Sequence, residues 1–465
     1  MSVSLAAIGI PQDIGSMIQE RTLERLFHEA LFPAQLYRRE AEPSLWPVNL
    51  GERMVFTRTG LMPVSVTPAI PGTDPIPGSH PIEQWEAEAN QYFNTIDTHM
   101  PTSYVSLAST YIKNIQTLGL NAGQTINRVA RNRLFRAYLG GNTVTLAAAV
   151  ITGTSIRVAS LNGFTERVSS GRPQPVSSMN PLPITFPGVV GEPANTVVGA
   201  IPDDLTNPFG PGTLLLGAGF TTAAVARSPV YAETRSRIRR QGGFTSVDGL
   251  TAANVLTAQT ILDAVAALRD QNVPPTADGT YHVHLTATAE AQIFADNQFQ
   301  RIYQSIPQDP TTLQGAIAEL YGCRFYRNTE SPSESNTGAL ISTGSGGAAL
   351  ALESPEIGGE VVNNAGLPIR RTIIVGGGAM YEKYLDESKF ISEAGVTGKV
   401  GHFQVTNNGV IVNTDRIRLV LRSPLDRVQQ VVSSSWSWSG DFPVPSDGLS
   451  GNLARYKRAL VIEHA

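Results

Sequence analysis

His282 and His284, with Asp278 just upstream, come nearest in this chain to a metal site by type and spacing. In an extended strand both imidazoles fall on one face. Zinc takes three or four protein ligands, and here no third His or carboxylate stands at a motif distance. A pair of core or hydrogen-bonded histidines is the better reading. Gly217 and Gly219, and the run Gly376, Gly377, Gly378, match neither the GxGxxG nor the GxxxxGKS/T phosphate loop and read as tight turns. GxSxG and HExxH are absent. Glu86 and Glu88 share a strand face and read as a solvated edge rather than an acid/base pair. Cys323 is the sole cysteine, so neither an internal disulfide nor a cysteine zinc cage can form. No catalytic, cofactor or metal residue is assigned, and the chain is not read as an enzyme.

Arginine is the other chemistry-bearing residue, with 30 copies against 5 lysines. Arg128, Arg131, Arg133 and Arg136 fall on one helical segment, and Arg235, Arg237, Arg239 and Arg240 crowd a stretch ending at Gly242. Guanidinium forks suit carboxylates and phosphates alike. The bias toward arginine favours fixed ion pairs between subunits over contact with packaged phosphate. The candidate inter-subunit residues are Arg128, Arg131, Arg136, Arg235, Arg237, Arg239 and Arg240, joined by Met54, Phe56 and Trp85.

Those last three belong to a segment, Arg53 to His99, that reads as a long β-hairpin arm. Met54 to Arg58 form one strand-like run, and Trp85, Ala87 and Ala89 alternate with Glu86, Glu88 and Asn90 in another. Between them Pro63, Pro68, Pro71, Pro75, Pro77 and Pro81 fix φ and remove donors, so the connection is extended and stiff and cannot enter a central sheet. A lone two-stranded ribbon is marginal in water. Such an arm needs another surface, that of a second subunit.

Composition agrees with lost surface. Charged residues make up 16% of the 465, against about 25% in ordinary soluble domains. With 43 glycines and 31 prolines the chain predicts many turns and extended segments. A net charge of −4 argues against a dedicated nucleic-acid binder. Residues Met1 to Pro11 show no basic region followed by an apolar stretch, and no window approaches 18 consecutive apolar residues, so neither a standard signal nor a membrane span is expected.

Along the chain, helices are expected over Ser16 to Phe32, over Tyr104 to Leu118 with a break at Gly119, and over Thr125 to Leu139 with a stop at Gly140 and Gly141. Short Thr/Val/Ala runs cut by Gly, Pro and Asn make Asn142 to Gly243 a β-rich insertion. Helices follow over Ala252 to Gln271, Ala287 to Gln304 and Thr312 to Tyr321, with Tyr281 to Thr286 as a strand. Ser331 to Gly347 is a loop. Ile373 to Val375, Ile417 to Leu421 and Leu460 to Ile462 are strand candidates, while Val428 to Trp438 alternates less cleanly.

This order of parts resembles the major capsid proteins of tailed bacteriophages with the HK97 fold. Two phrases carry the resemblance most closely, LNAGQTINRVARNRLFRAYLGGNTVT (Leu120 to Thr145) and RIRLVLRSPLDRVQQVVSSSWSWSGDFPVPSD (Arg416 to Asp447). The resemblance implies an α+β fold built from an N-terminal arm (1–50), an E-loop hairpin (51–98), a P-domain with its spine helix (99–141), a β-rich insertion domain (142–243), an A-domain with parts of the P-domain (244–415) and C-terminal P-domain strands (416–465). It further implies self-assembly as hexamers and pentamers into an icosahedral virion shell around double-stranded DNA, built in the host bacterial cytoplasm. Scaffolding, portal and cement or decoration proteins would be partners, with weak non-specific DNA contact, no membrane and no cofactor. No Lys precedes Lys113, so a covalent weld from an E-loop lysine is not expected. The short stretch before Ser16 points to a separate scaffolding protein. The rivals are an encapsulin-like compartment and, from another class, a β-rich enzyme or adhesin.

Overall fold

In the computed structural model the described residues are 22–31, 35–47, 51, 53–59, single positions between 62 and 80, 82–105, 110–148, 150–169, 172–191, 194–205, 207–236, 238–305, 316–320, 322–328, 361–363, 365–385, 396–400, 403–406, 409–422, 424, 427–428, 430–445 and 458–465. They fall into two compact units. One comprises 1–54, 86–130 and 380–443, the other 55–85, 131–379 and 444–465. The mixture is α+β, as expected, with antiparallel strand pairs in the majority.

The first unit is built on one sheet. Its order is Ala41–Leu45, Met380–Tyr384, Val431–Asp441, Ile417–Arg422, Gly409–Thr414, Phe403–Thr406 and Val396–Val400, with Asn90–His99 also pairing along Val431–Asp441. Among the described residues only the Ala41–Leu45 pairing in this sheet is parallel. The segment that alternated poorly in sequence is the long central strand of this sheet, and its burial alternates at every residue from Val431 to Gly440. Serine obscured the pattern: Ser434 occupies an inward position between Val432 and Trp436 and is buried, because period-2 geometry rather than hydrophobicity decides which residues point inward.

The helix predicted over Ser16 to Phe32 is present as Thr22–Leu31, the remainder lying outside the described residues, and it buries Leu23, Phe27 and Leu31. The expected break at Gly119 does not occur: a single helix runs Thr110–Leu139 through that position. Gly119 is there for space. A Cβ on it would lie 2.6 Å from the Phe27 carbonyl oxygen and 3.2 Å from Ala30, so the missing side chain lets the two helices approach closely. Gly119→Ala is expected to cost about 1–3 kcal/mol through overpacking despite alanine's better helix propensity. Thermal unfolding checks this, and an unchanged or higher Tm would refute the close-packing role.

The second unit holds two large sheets among the described residues. One runs Asn142–Val144, Pro229–Ala232, Leu182–Thr185, Asn195–Pro202, Gly212–Leu216, Ser155–Val158, and carries a core of Phe164, Phe186, Val197, Leu214 and Phe220 with their neighbours. A separate hairpin, Glu166–Ser169 with Arg172–Pro175, lies within the same stretch of sequence. The β-rich reading of 142–243 is thus met as secondary structure, except that Ile238–Arg240 joins the other sheet.

That other sheet runs Ile238–Arg240, Ala459–His464, Pro368–Val375, Tyr281–Leu285, Cys323–Arg327, Ala316–Leu320. The helix Ala258–Asp270, capped by Thr257, supplies Ile261, Ala264, Val265 and Leu268 to the core it shares with this sheet. Two helices, Ala287–Ala295 and Asn297–Ser305, replace the single one expected over Ala287 to Gln304. The helix expected over Thr312 to Tyr321 is overturned in its described part, where Ala316–Leu320 is a strand. Leu320 pairs with Cys323 across a tight turn in which Gly322 takes φ +73°. The i, i+3 apolar spacing mimics a helix, but a left-handed glycine immediately before a strand makes a hairpin.

Candidate assembly surface

Arg53–Thr59 and Ile82–Glu88 form a two-stranded sheet, and no third strand joins it among the described residues. The alternation read in the sequence is observed: Met54, Trp85 and Ala87 are buried, Phe56 is half-buried, and Val55, Glu86 and Glu88 are exposed. Phe56 stacks on Trp85 with ring centroids 5.7 Å apart. Gln84 Nε2 donates to Thr57 Oγ1 at 3.2 Å, and Arg53 pairs with Glu88 at 2.8 Å in solvent. Glu88 therefore belongs to a surface ion pair. Of the connecting segment, Met62, Val66, Gly72, Asp74, Pro77, Gly78 and His80 are described, and each is exposed. The other five prolines singled out there lie outside the described residues.

The arginines divide by environment. Arg131 is completely buried, and its Nε and Nη2 donate to Asn132 Oδ1 at 3.2 and 3.0 Å. Its guanidinium is committed inside the protomer. Arg136 lies 4.0 Å above the Phe209 ring, and Arg128 is half-buried. Arg235 is exposed and stacks 3.9 Å from the Tyr231 ring. Arg239 pairs with Asp263 at 2.7 Å and Arg240 with Glu463 at 2.7 Å. Arg237 lies outside the described residues. Arg235, Arg239 and Arg240 come together along one cleft of about 750 Å³, where Asp263 is the acidic lining residue.

Two buried charge networks escaped the sequence reading. Glu463 sits directly opposite Arg240 on one neighbouring strand and Arg371 on the other, 2.7 and 3.1 Å away. Burial alone would raise its carboxyl, and the two guanidiniums outweigh that and hold it below its ordinary value. In the first unit Glu382 accepts from Arg38 and Arg416 at 2.7 and 2.6 Å, and Arg38 also reaches Asp415 at 3.1 Å. A carboxylate inside an apolar strand, as in Ala459–His464, was the available signal.

The histidine pair is structural. His282 Nε2 lies 3.1 Å from Thr276 Oγ1 and 3.5 Å from Asp278, its ring meeting Tyr326 edge-on, while buried His284 Nδ1 lies 3.4 Å from Asn328. No group of three or more His, Cys, Asp or Glu suited to a metal occurs among the described residues. Cys323 is buried, and burial pushes its thiol up to about 12. No helix among the described residues is long and apolar enough to cross a membrane.

The chain is similar in structure to solved phage capsid chains. The capsid of Ralstonia phage GP4 aligns over 91% of this chain and 86% of its own at 10% identity and TM-score 0.47. The cyanophage Pam1 capsid aligns over 94% and 93% at 10% identity and TM-score 0.47, and that of cyanophage P-SCSP1u over 93% and 88% at 8% identity and TM-score 0.45. No family model and no curated sequence matches the chain.

Proposed function

We propose that this chain is a structural major capsid protein, whose copies assemble as hexamers and pentamers into the icosahedral shell around the double-stranded DNA of a tailed phage. The observation that carries the reading is the ribbon of Arg53–Thr59 with Ile82–Glu88: a two-stranded sheet with no third strand among the described residues, which leaves Val55 and Ile82 exposed. A ribbon of this kind gains stability by lying on another surface. Closed symmetry then multiplies a modest contact over many copies, so each can stay weak enough to be corrected during assembly. On this reading 1–50 is the arm, 51–98 the E-loop, 99–141 the P-domain helix region, 142–243 the insertion, 244–415 chiefly the A-domain and 416–465 the closing strands. Scaffolding, portal and cement proteins are the proposed partners, and assembly takes place in the host bacterial cytoplasm.

The inter-subunit role fits Arg235 better than its neighbours. Arg131, Arg239 and Arg240 already have partners in their own protomer, whereas the Arg235 guanidinium is exposed on an aromatic face. A cargo-holding compartment of the same fold is the second reading, and the β-rich 142–243 stretch and chain length disfavour it.

Deleting residues 60 to 82 tests the proposal. The full chain is expected to give shells or ring-shaped capsomers by negative-stain microscopy and light scattering, and the deletion to abolish them. A monodisperse monomer indifferent to the deletion would overturn the capsid reading.

A further inference from the structure

The cleft beside Ile238–Arg240 lies wholly within the second unit, encloses about 750 Å³ and is lined in part by Arg235, Arg239, Arg240, Tyr231, Phe244 and Asp263. Its guanidiniums are only partly spent. Arg240 gives Nε to Glu463 and Nη1 to the Thr245 carbonyl, each at 2.7 Å, and Arg239 gives Nη2 to Asp263 at 2.7 Å. The exposed Arg235 guanidinium is held 3.9 Å over the Tyr231 ring and has no acidic partner among the described residues. Left over are the nitrogens of Arg235, Nε and Nη1 of Arg239 and Nη2 of Arg240, for which no acceptor stands among the described residues. Both Asp263 oxygens are taken, Oδ2 by Arg239 and Oδ1 by Gln259 Nε2 at 2.8 Å. The cleft is thus rich in cationic donors and short of acceptors.

Donors of this kind and number select the ligand. A carboxylate offers two oxygens in one plane, and two guanidiniums already engage both oxygens of the neighbouring Glu463. A phosphate group offers three strongly accepting oxygens in different directions, which suits forks arriving from several side chains. Phosphate alone would leave most of the cleft empty, whose volume falls in the range of roughly 300–1,000 Å³ that small-molecule sites occupy. The remaining wall is aromatic. Phe244 is 40% exposed there, and its ring is seated against Gly242 and Gly249, where a Cβ would lie 2.7 and 2.6 Å from ring carbons.

We propose that this cleft binds a phosphate group, with Arg235 and Arg239 as its ligands and Phe244 against the body of the molecule that carries it. The inference is independent of the shell reading and gives Arg235 a ligand other than a partner subunit's carboxylate. A free phosphorylated small molecule and the backbone of a nucleic acid present the same chemistry to the guanidiniums, and the choice of probe separates them.

Titration calorimetry on the full chain at low ionic strength, where exposed charges are least screened, uses four probes: inorganic phosphate, a nucleoside monophosphate, a short DNA duplex and glutarate. Phosphate and the monophosphate are expected to bind saturably. Arg235→Gln and Arg239→Gln, made separately, should each weaken binding by roughly tenfold or more, the loss of one charged hydrogen bond. Both side chains reach solvent, so the fold is expected to survive, and an unchanged Tm checks this. Arg157→Gln removes an exposed guanidinium that pairs with Asp203 and is not among the lining residues, and it should leave binding unchanged. Binding of the duplex alone, with the same dependence on Arg235 and Arg239, supports the site and assigns the phosphate to a nucleic-acid backbone. Glutarate binding as tightly as phosphate overturns the phosphate assignment in favour of a carboxylate. No saturable binding of any phosphate probe, or binding that Arg157→Gln weakens as much as Arg235→Gln does, overturns the site. The shell reading is tested separately, by the deletion of residues 60 to 82.

Discussion

Glu382→Ala is expected to lower the unfolding free energy of the unassembled chain by about 3–5 kcal/mol, the usual cost of stranding a buried charge by deleting its partner. The Glu382 side chain is 1% exposed and that of Arg38 2%. Arg38 donates Nε and Nη2 to Oε1 at 2.9 and 2.7 Å, and Arg416 Nη1 donates to Oε2 at 2.6 Å. Arg38 also donates to the Asp415 side chain and carbonyl, at 3.1 and 2.9 Å. Asp415 and Arg416 are the two turn residues between Thr414 and Ile417, both left-handed at φ +49° and +66°. Non-glycine residues adopt that conformation at a cost of roughly 1–2 kcal/mol each, and the network holds them there. Removing the carboxylate thus leaves buried Arg38 with Asp415 as its remaining partner and loosens a strained turn together. Unfolding in urea, followed by the fluorescence of buried Trp436 and Trp438 in the same sheet, measures the loss. Arg25→Ala breaks only the exposed Arg25–Glu29 pair and is expected to change stability by under about 0.5 kcal/mol. Equal effects from the two substitutions would refute the network's role.

That network shows where sequence reading stops. Arg38 and Glu382 lie 344 residues apart, and no local pattern joins them. What was legible was local: Trp85 and Ala87 alternating with Glu86 and Glu88, the Thr/Val/Ala runs of 142–243, and the apolar 3.6-residue spacing of Thr125 to Leu139. Each follows from side-chain periodicity alone. Errors arose where tertiary packing overrides propensity. Gly119 reads as a helix stop yet sits mid-helix, because Phe27 approaches from a segment far away in sequence. The serines of Val428 to Trp438 blur the alternation, yet Ser434 is buried two residues from Trp436 on the same face. The arginine bias points to fixed ion pairs, and three buried ones, at Arg38, Arg240 and Arg371, close within a single protomer through partners that no local pattern names. An arginine's type shows that it wants a planar anion; its burial decides which side of an interface supplies one.

Acidification from neutral pH toward 4 is expected to remove about 3 kcal/mol of stability through His464, at 1.36 kcal/mol per pKa unit. Burial drives that imidazole down from 6.5 to about 4, and the positive charge of Arg370 adds to it against the hydrogen bond that the ring donates to the Ala465 carbonyl. The ring is fully enclosed, with Nε2 3.1 Å from Thr372 Oγ1 and Nδ1 3.4 Å from the Ala465 oxygen. Below pH 6.5 the unfolded chain takes up a proton that folded His464 refuses until about 4. The unfolded state binds more protons across that window, so stability is full above it and falls as the pH drops through it. The neighbouring Glu463 acts at a different pH. Its carboxyl is held below 4.5 by Arg240 and Arg371, so its contribution persists through most of the His464 window and is lost at more acid pH. His464→Asn removes the titrating group, and the slope of unfolding free energy between pH 6.5 and 4 should flatten while the steeper loss at lower pH remains. An unchanged slope in the variant would show that His464 is solvated in the folded chain and that the acid sensitivity arises elsewhere.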